Sequence, residues 1–252
     1  MTNRLFSALC VGGVLLFAGC ATVPYTNRKQ LNVISADQES QLGLQAYQDV
    51  KTKNKISTDP QANALVQRIG KRIAAVADQP SWDWQFTVID DPKTVNAFCL
   101  PGGKIAVYTG ILPLTQDENG LAVVMSHEVS HALAHHGAER MTEQMGVSTL
   151  EQLAVAGGLV KDQAVLQGAE LAYGVGRGLP HSRKQESEAD HIGLILMAKA
   201  GFDPRGAVPF WERMKSAGGQ KPPEFLSTHP SDETRIQTIK SELPEALTYY
   251  KP

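Results

Sequence analysis

The sequence predicts an α+β fold, mostly helical, with a small sheet inserted ahead of a central apolar helix. Three observations predict it. Apolar residues recur at helical spacing up to about residue 77, and again from Asp117 onward. Two segments between them, Trp82–Ile89 and Lys104–Tyr108, have the alternation and β-branched content of strands. Pro101-Gly102-Gly103 marks a turn between the two strands.

The first twenty residues stand apart from this body. Met1–Ser7 carries Arg4, Ala8–Ala18 is almost wholly apolar, and the run closes on Gly19-Cys20. An apolar run this short does not span a bilayer, and small residues at its end suit a cleavage site. Leu16-Phe17-Ala18-Gly19-Cys20 resembles the bacterial lipoprotein signal, with its leucine one step further out than usual. That resemblance implies a signal peptide over 1–19 and acylation of Cys20, which would hold the chain on a membrane. Ala21 in place of aspartate implies, by the same resemblance, the periplasmic face of the outer membrane. Ala21–Leu31 is polar and irregular, and a membrane tether is expected over 20–34.

The folded domain is expected over 35–252. Ser35 with Gln38 three residues on forms a capping box for a helix running to about Lys53. Ala64, Leu65, Ile69, Ile73 and Val76 line one face of a second helix, Pro60–Ala77. Beyond Asp117 the pattern is helical, with breaks expected at Gly146, Gly157-Gly158, Gly174–Pro180 and Gly201–Pro204. The apolar stretch Leu153–Val160 is too short to cross a membrane. A net charge of −2 with no basic cluster gives no footing for nucleic acid. Once the signal is removed and Cys20 acylated, Cys99 remains alone, so no internal disulfide forms. Its setting, Ala97-Phe98-Cys99-Leu100, suits a small buried apolar residue better than a nucleophile.

The chemistry concentrates in His127-Glu128-Val129-Ser130-His131. Histidines four apart share one helical face and can reach one zinc ion, and the intervening Glu128 can take a proton from a water there. A metzincin third ligand would require Gly at 134 and His at 137, where the chain has Ala134 and Gly137. A carboxylate from a later helix is the other common solution. Glu186 and Asp190, four apart in Ser182–Asp190, share a face. Glu186 is expected as the ligand and Asp190 as the carboxylate that orients an imidazole. Glu188 faces elsewhere and reads as a solvated helix start. His135 and His136 lie too far along the axis to share the ion, although His136 can brace a ligand. His181 and His191 are read as structural.

These blocks together resemble the gluzincin metallopeptidases of the prenyl-protease and HtpX type, including their bacterial lipoprotein subgroup. The resemblance rests on Thr26–Leu31, Asn96-Ala97-Phe98 with Pro101-Gly102-Gly103, His127–His131 with His136-Gly137 and Glu139-Arg140, Ser182–Asp190, and Ser227-Thr228-His229-Pro230 with Arg235. It implies a zincin-like fold, one Zn2+ per chain, and Glu186 as third ligand. It implies that His229 lies near the active site, as an oxyanion donor or a fourth ligand, with Arg235 bracing its loop or exposed on the surface. It further implies that Lys104–Tyr108 is an edge strand pairing with extended substrate, and that Asn96 supports substrate binding. The expected function is hydrolysis of peptide bonds in unfolded or damaged envelope proteins. A non-proteolytic assembly factor with a closed zinc site is the alternative.

Overall fold

The computed structural model describes residues 19–157, 178–217 and 223–251. Residues 1–18 of the signal expected over 1–19, part of the apolar stretch Leu153–Val160 and most of the Gly174–Pro180 break lie outside these residues. The chain opens with an antiparallel pair, β1 (Gly19–Thr22) and β2 (Lys29–Asn32), where a free tether was expected. Its connecting turn reaches positive φ at Tyr25 and Asn27 and seats Val23 fully in the core. Part of the polarity along this stretch belongs to side chains that bind the body of the protein, those of Thr26, Arg28 and Gln30.

Helix α1 (Ala36–Lys53) starts as expected, with the Ser35 hydroxyl accepting from Gln38 N and the Gln38 side chain accepting from Ser35 N. Helix α2 (Pro60–Ala74) is capped by Asp59, whose carboxylate accepts from Gln61 N, and Pro60 fits its first turn. It buries Val66, Ile69 and Ile73 against the sheet and the central helix.

The sheet contains a strand that periodicity missed. Between β3 (Gln85–Ile89) and β5 (Lys104–Tyr108) lies β4 (Ala97–Leu100), a run of four without alternation. The order is β3-β5-β4, with β5 parallel to β3 and antiparallel to β4. Lys104–Tyr108 is therefore the central strand, contrary to its expected place at an edge. The outer edge belongs to β4, which lies along the central helix.

After the short α3 (Leu112–Thr115) comes that central helix, α4 (Glu118–Leu133), capped by Asp117. Every residue from Gly120 to Leu133 is buried, His127, Glu128 and His131 among them. A left-handed His135 turns the chain into α5 (His136–Ala156). The expected break at Gly146 does not occur; α5 runs through it and ends at Gly157. Helix α6 (Leu179–Lys199) then crosses α4, and α7 (Ala207–Ala217), α8 (Glu224–Thr228) and α9 (Glu233–Tyr249) close the site from the other side. Helix α9 is capped by Asp232, whose carboxylate accepts from Arg235 N. Among the described residues no helix is long and apolar enough to cross a membrane.

The α4–α6 crossing is close because Gly193 has no side chain. A Cβ there would sit 3.2 Å from His127 N and 3.3 Å from His127 Cα. Gly193→Leu should force the helices apart and destabilise the protein by about 1–3 kcal/mol in urea denaturation. Gly146→Ala should stabilise it by about 0.5–1 kcal/mol, because an added Cβ meets nothing within 4 Å. Unchanged stability in the first variant would contradict the crossing geometry.

Candidate metal centre

Helix α4 turns His127 and His131 toward α6, which returns Glu186 from its first half; the chain after α8 adds His229. One donor atom from each of these four buried residues lies within 4.8 Å of every other. His127 Nε2 is 3.1 Å from His131 Nε2 and 3.0 Å from His229 Nδ1. Glu186 Oε1 is 3.2 Å from His131 Nε2, and its Oε2 is 3.4 Å from His127 Nε2 and 2.9 Å from His229 Nδ1. Tetrahedral zinc with bonds of about 2.0–2.1 Å separates its ligands by about 3.3–3.4 Å. The donor types and their spacing fit zinc.

Glu128 sits beside this cluster. Its Oε1 is buried without a hydrogen-bond partner and lies 3.4 Å from His229 Nε2. Burial raises its pKa, with the neighbouring imidazoles pulling the other way. An orphaned buried carboxylate oxygen next to four metal donors is placed to receive a proton from a reactant.

A second layer holds the donors in place. His127 Nδ1 lies 3.0 Å from Asp190 Oδ1, at ion-pair distance although the N–H is not aligned on the oxygen. Asp190 in turn accepts two hydrogen bonds from Arg235, each 2.7 Å. Arg235 also donates to Pro230 O and stacks on Trp211, 3.5 Å from the ring centre, so it is no surface arginine but a brace for the His229 loop. Burial opposes ionisation of Asp190, but Arg235 and His127 outweigh it and lower its pKa. Burial likewise works against a protonated His127, yet Asp190 and Glu186 lift it to about 9. His131 goes the other way: burial holds it well below the usual imidazole range, as a neutral donor.

His131 Nδ1 is 2.8 Å from His136 Nδ1, and His136 Nε2 is 3.0 Å from Glu188 Oε2. Glu188, expected in solvent, is instead tied down by Thr26 and Arg28 from the β1–β2 turn. Burial opposes its charge, but His136, Arg28 and Thr26 bring its pKa to about 2. Arg28 also donates to Glu139, which accepts from Gln185. Turning one position away from the metal face aims Glu188 at His136, and only the tertiary position of the hairpin reveals that. His181 pairs with Glu139 and Glu143, and His191 lies 3.7 Å from Glu242.

Asn96 stays outside the cluster. It opens β4, donates from Nδ2 to Glu224 Oε1 at 3.1 Å, and accepts from Tyr108 N through its carbonyl. With Phe225 N donating to Val95 O, it fastens α8, and so His229, to the edge strand. Cys99 on β4 has its thiol pKa pushed up by burial, which suits a packing role. The side chain of Cys20 is not among those described.

A profile of peptidase family M48 matches residues 60–243. The chain is 42% identical over 248 residues to mitochondrial metalloendopeptidase OMA1 of Schizosaccharomyces pombe, covering 96% of this chain and 72% of that protein. It is 28% identical over 251 residues to the beta-barrel assembly-enhancing protease of Escherichia coli, covering 96% and 51%. A putative protease of the same name from Vibrio cholerae is 32% identical over 213 residues, covering 81% and 44%.

Two measurements probe the outer layer. His136→Leu should weaken zinc binding by about 10–100-fold in a chelator competition, because the proton on His131 Nδ1 loses its acceptor; unaltered affinity would remove His136 from this role. Glu242 on α9 has its pKa raised to about 7 by burial and by Asp190. A carboxyl whose folded pKa is raised loses stability as pH climbs from the unfolded value toward the folded one. Glu242→Gln should therefore stabilise the protein at pH 8 and leave it little changed near pH 4, measured as the difference in urea midpoints.

Proposed function

Since the chain belongs to peptidase family M48 and is a zinc metalloendopeptidase, we propose that His127, His131 and Glu186 hold its ion and that Glu128 moves the proton. The observation that carries this reading is the convergence of these donors with the unpartnered Glu128 oxygen in one buried pocket. Zinc bound there supplies Lewis acidity, polarising a carbonyl and lowering the pKa of water to about 7. Glu128 takes a proton from the attacking water and returns it to the leaving amine; its raised pKa suits both transfers. Asp190 and His136 keep the two imidazoles turned toward the ion.

His229 serves as the fourth donor, since its Nδ1 falls within the same set. A peptide carbonyl can approach only when that ring withdraws, and the Asn96–Glu224 tie sets how readily α8 yields. Substrate adds as a strand to the free edge of β4, which runs beside α4 and carries Asn96 at its start. Addition of a strand requires extended backbone, so unfolded or damaged polypeptides are the substrate class.

The apolar run Ala8–Ala18 closing on Gly19-Cys20 supports a signal over 1–19, acylation of Cys20 and a place on the periplasmic face of a bacterial outer membrane. The catalytic domain expected over 35–252 then carries the β1–β2 hairpin packed onto it, with envelope proteins as substrates. The word mitochondrial in some relatives' names belongs to those proteins; the lipoprotein-like cysteine supports the envelope for this one. The place of His229 among the donors also favours a second reading, a non-proteolytic assembly factor whose zinc site stays closed.

Glu128→Gln in the purified protein should lower kcat for casein cleavage by about 10²–10⁴-fold while zinc content stays near one per chain. Cleavage at the unmodified rate would refute the role of Glu128.

A further inference from the structure

Ten large apolar side chains are exposed among the described residues, and five of them line two adjoining grooves. Leu31 and Val33 come from β2 and the chain just beyond it, Leu42 from α1, and Met145 and Leu150 from α5. Leu31 and Leu150, 52% and 69% exposed, line one groove. Val33, Leu42 and Met145 line a second, of about 520 Å³, in which Asp37 is the lone charged residue described. The α5 turn from Thr142 to Gly146 joins the two grooves, and Val33 N donates to Thr142 Oγ1 across the seam. Scattered apolar residues are ordinary on a protein surface, but a contiguous patch marks something that covers it. In the first groove Arg28 pairs with Glu139, and Glu139 and Glu143 pair with His181, while Lys29 donates to Thr22 Oγ1. A charged partner gains little here, whereas an apolar one gains the whole patch.

The register of the hairpin says what that partner is. Cys20 on β1 stands opposite Leu31 on β2, and the apolar run Ala8–Ala18 leads into Gly19 on the same strand. Whatever fixes the chain to a membrane enters at the rim of this patch. We propose that the patch is a bilayer-seating surface, with Leu31, Leu42 and Leu150 sunk among lipid acyl chains beside the attachment at Cys20. The proposal rests on the anchoring reading given above. Anchoring alone leaves the domain free to swivel; a second apolar contact a few residues away fixes one face against the lipid. Burial of apolar surface drives the contact, so it persists in high salt.

The test uses the full chain, processed in bacteria in a Cys99→Ala background, with a nitrobenzoxadiazole label on Leu150→Cys or, separately, Leu42→Cys. Each is reconstituted into phosphatidylethanolamine–phosphatidylglycerol vesicles with or without lipid brominated in mid-chain. A label on Lys71→Cys, an exposed position on α2, is the control. The protein should float with the vesicles, the labels at 150 and 42 should lose more than half their emission to bromine, and the label at 71 should lose none. Flotation with unquenched labels at 150 and 42 would overturn the seating surface and leave the anchor intact. Unquenched labels together with cross-linked dimers would assign the patch to a second copy. Failure to float would overturn the anchor and the seating surface together.

Discussion

Three imidazole nitrogens and a carboxylate converge beside the crossing of two buried helices, each donor within 4.8 Å of every other. Donors so grouped suit a single cation, and the packing around them holds them in place. Gly193 lets α6 approach the backbone of His127, which brings Glu186 up to the histidine pair. Arg235 holds Asp190 by two hydrogen bonds while its Nη1 stands 3.3 Å from Glu186 Oε2, so one guanidinium steadies both carboxylates. Remove either the close crossing or this brace, and the donors no longer define one point.

The same logic extends outward in two branches. One runs from His127 through Asp190 and Arg235 to Trp211 and the His229 loop, so His127 and His229 share a support. The other runs from His131 through His136 and Glu188 to Thr26 and Arg28. It makes the hairpin at the start of the described chain part of the centre's scaffold, although the hairpin itself lies at the surface. Edge strand β4 joins the first branch through Asn96 and α8. The edge strand and the position of His229 are therefore mechanically linked.

Much of this was legible from the residues alone. His127 and His131 announce themselves by spacing, and Glu186 with Asp190 by sharing a helical face; local geometry suffices for both. The capping box at Ser35 and the strand Lys104–Tyr108 were equally plain, because each depends on neighbours in sequence. What escaped depends on distant partners. Ala97–Leu100 is too short and too uniformly apolar for a period to register, and becomes a strand only through pairing with β5. Glu188 reads as solvated until Arg28, 160 residues away, closes on it. Gly146 looks like a break because glycine weakens helices, but a cost of about 1 kcal/mol does not stop a helix of this length. The polar stretch after Cys20 looks like a tether because its side chains find their partners in α5 and α6.

A crystal structure of the zinc-loaded protein, with the ion located by anomalous scattering, tests the central claim most directly. The account predicts one ion, about 2.0–2.2 Å from His127 Nε2, His131 Nε2 and an oxygen of Glu186. An ion held elsewhere, or a Glu186 carboxylate turned away from the two histidines, would contradict it.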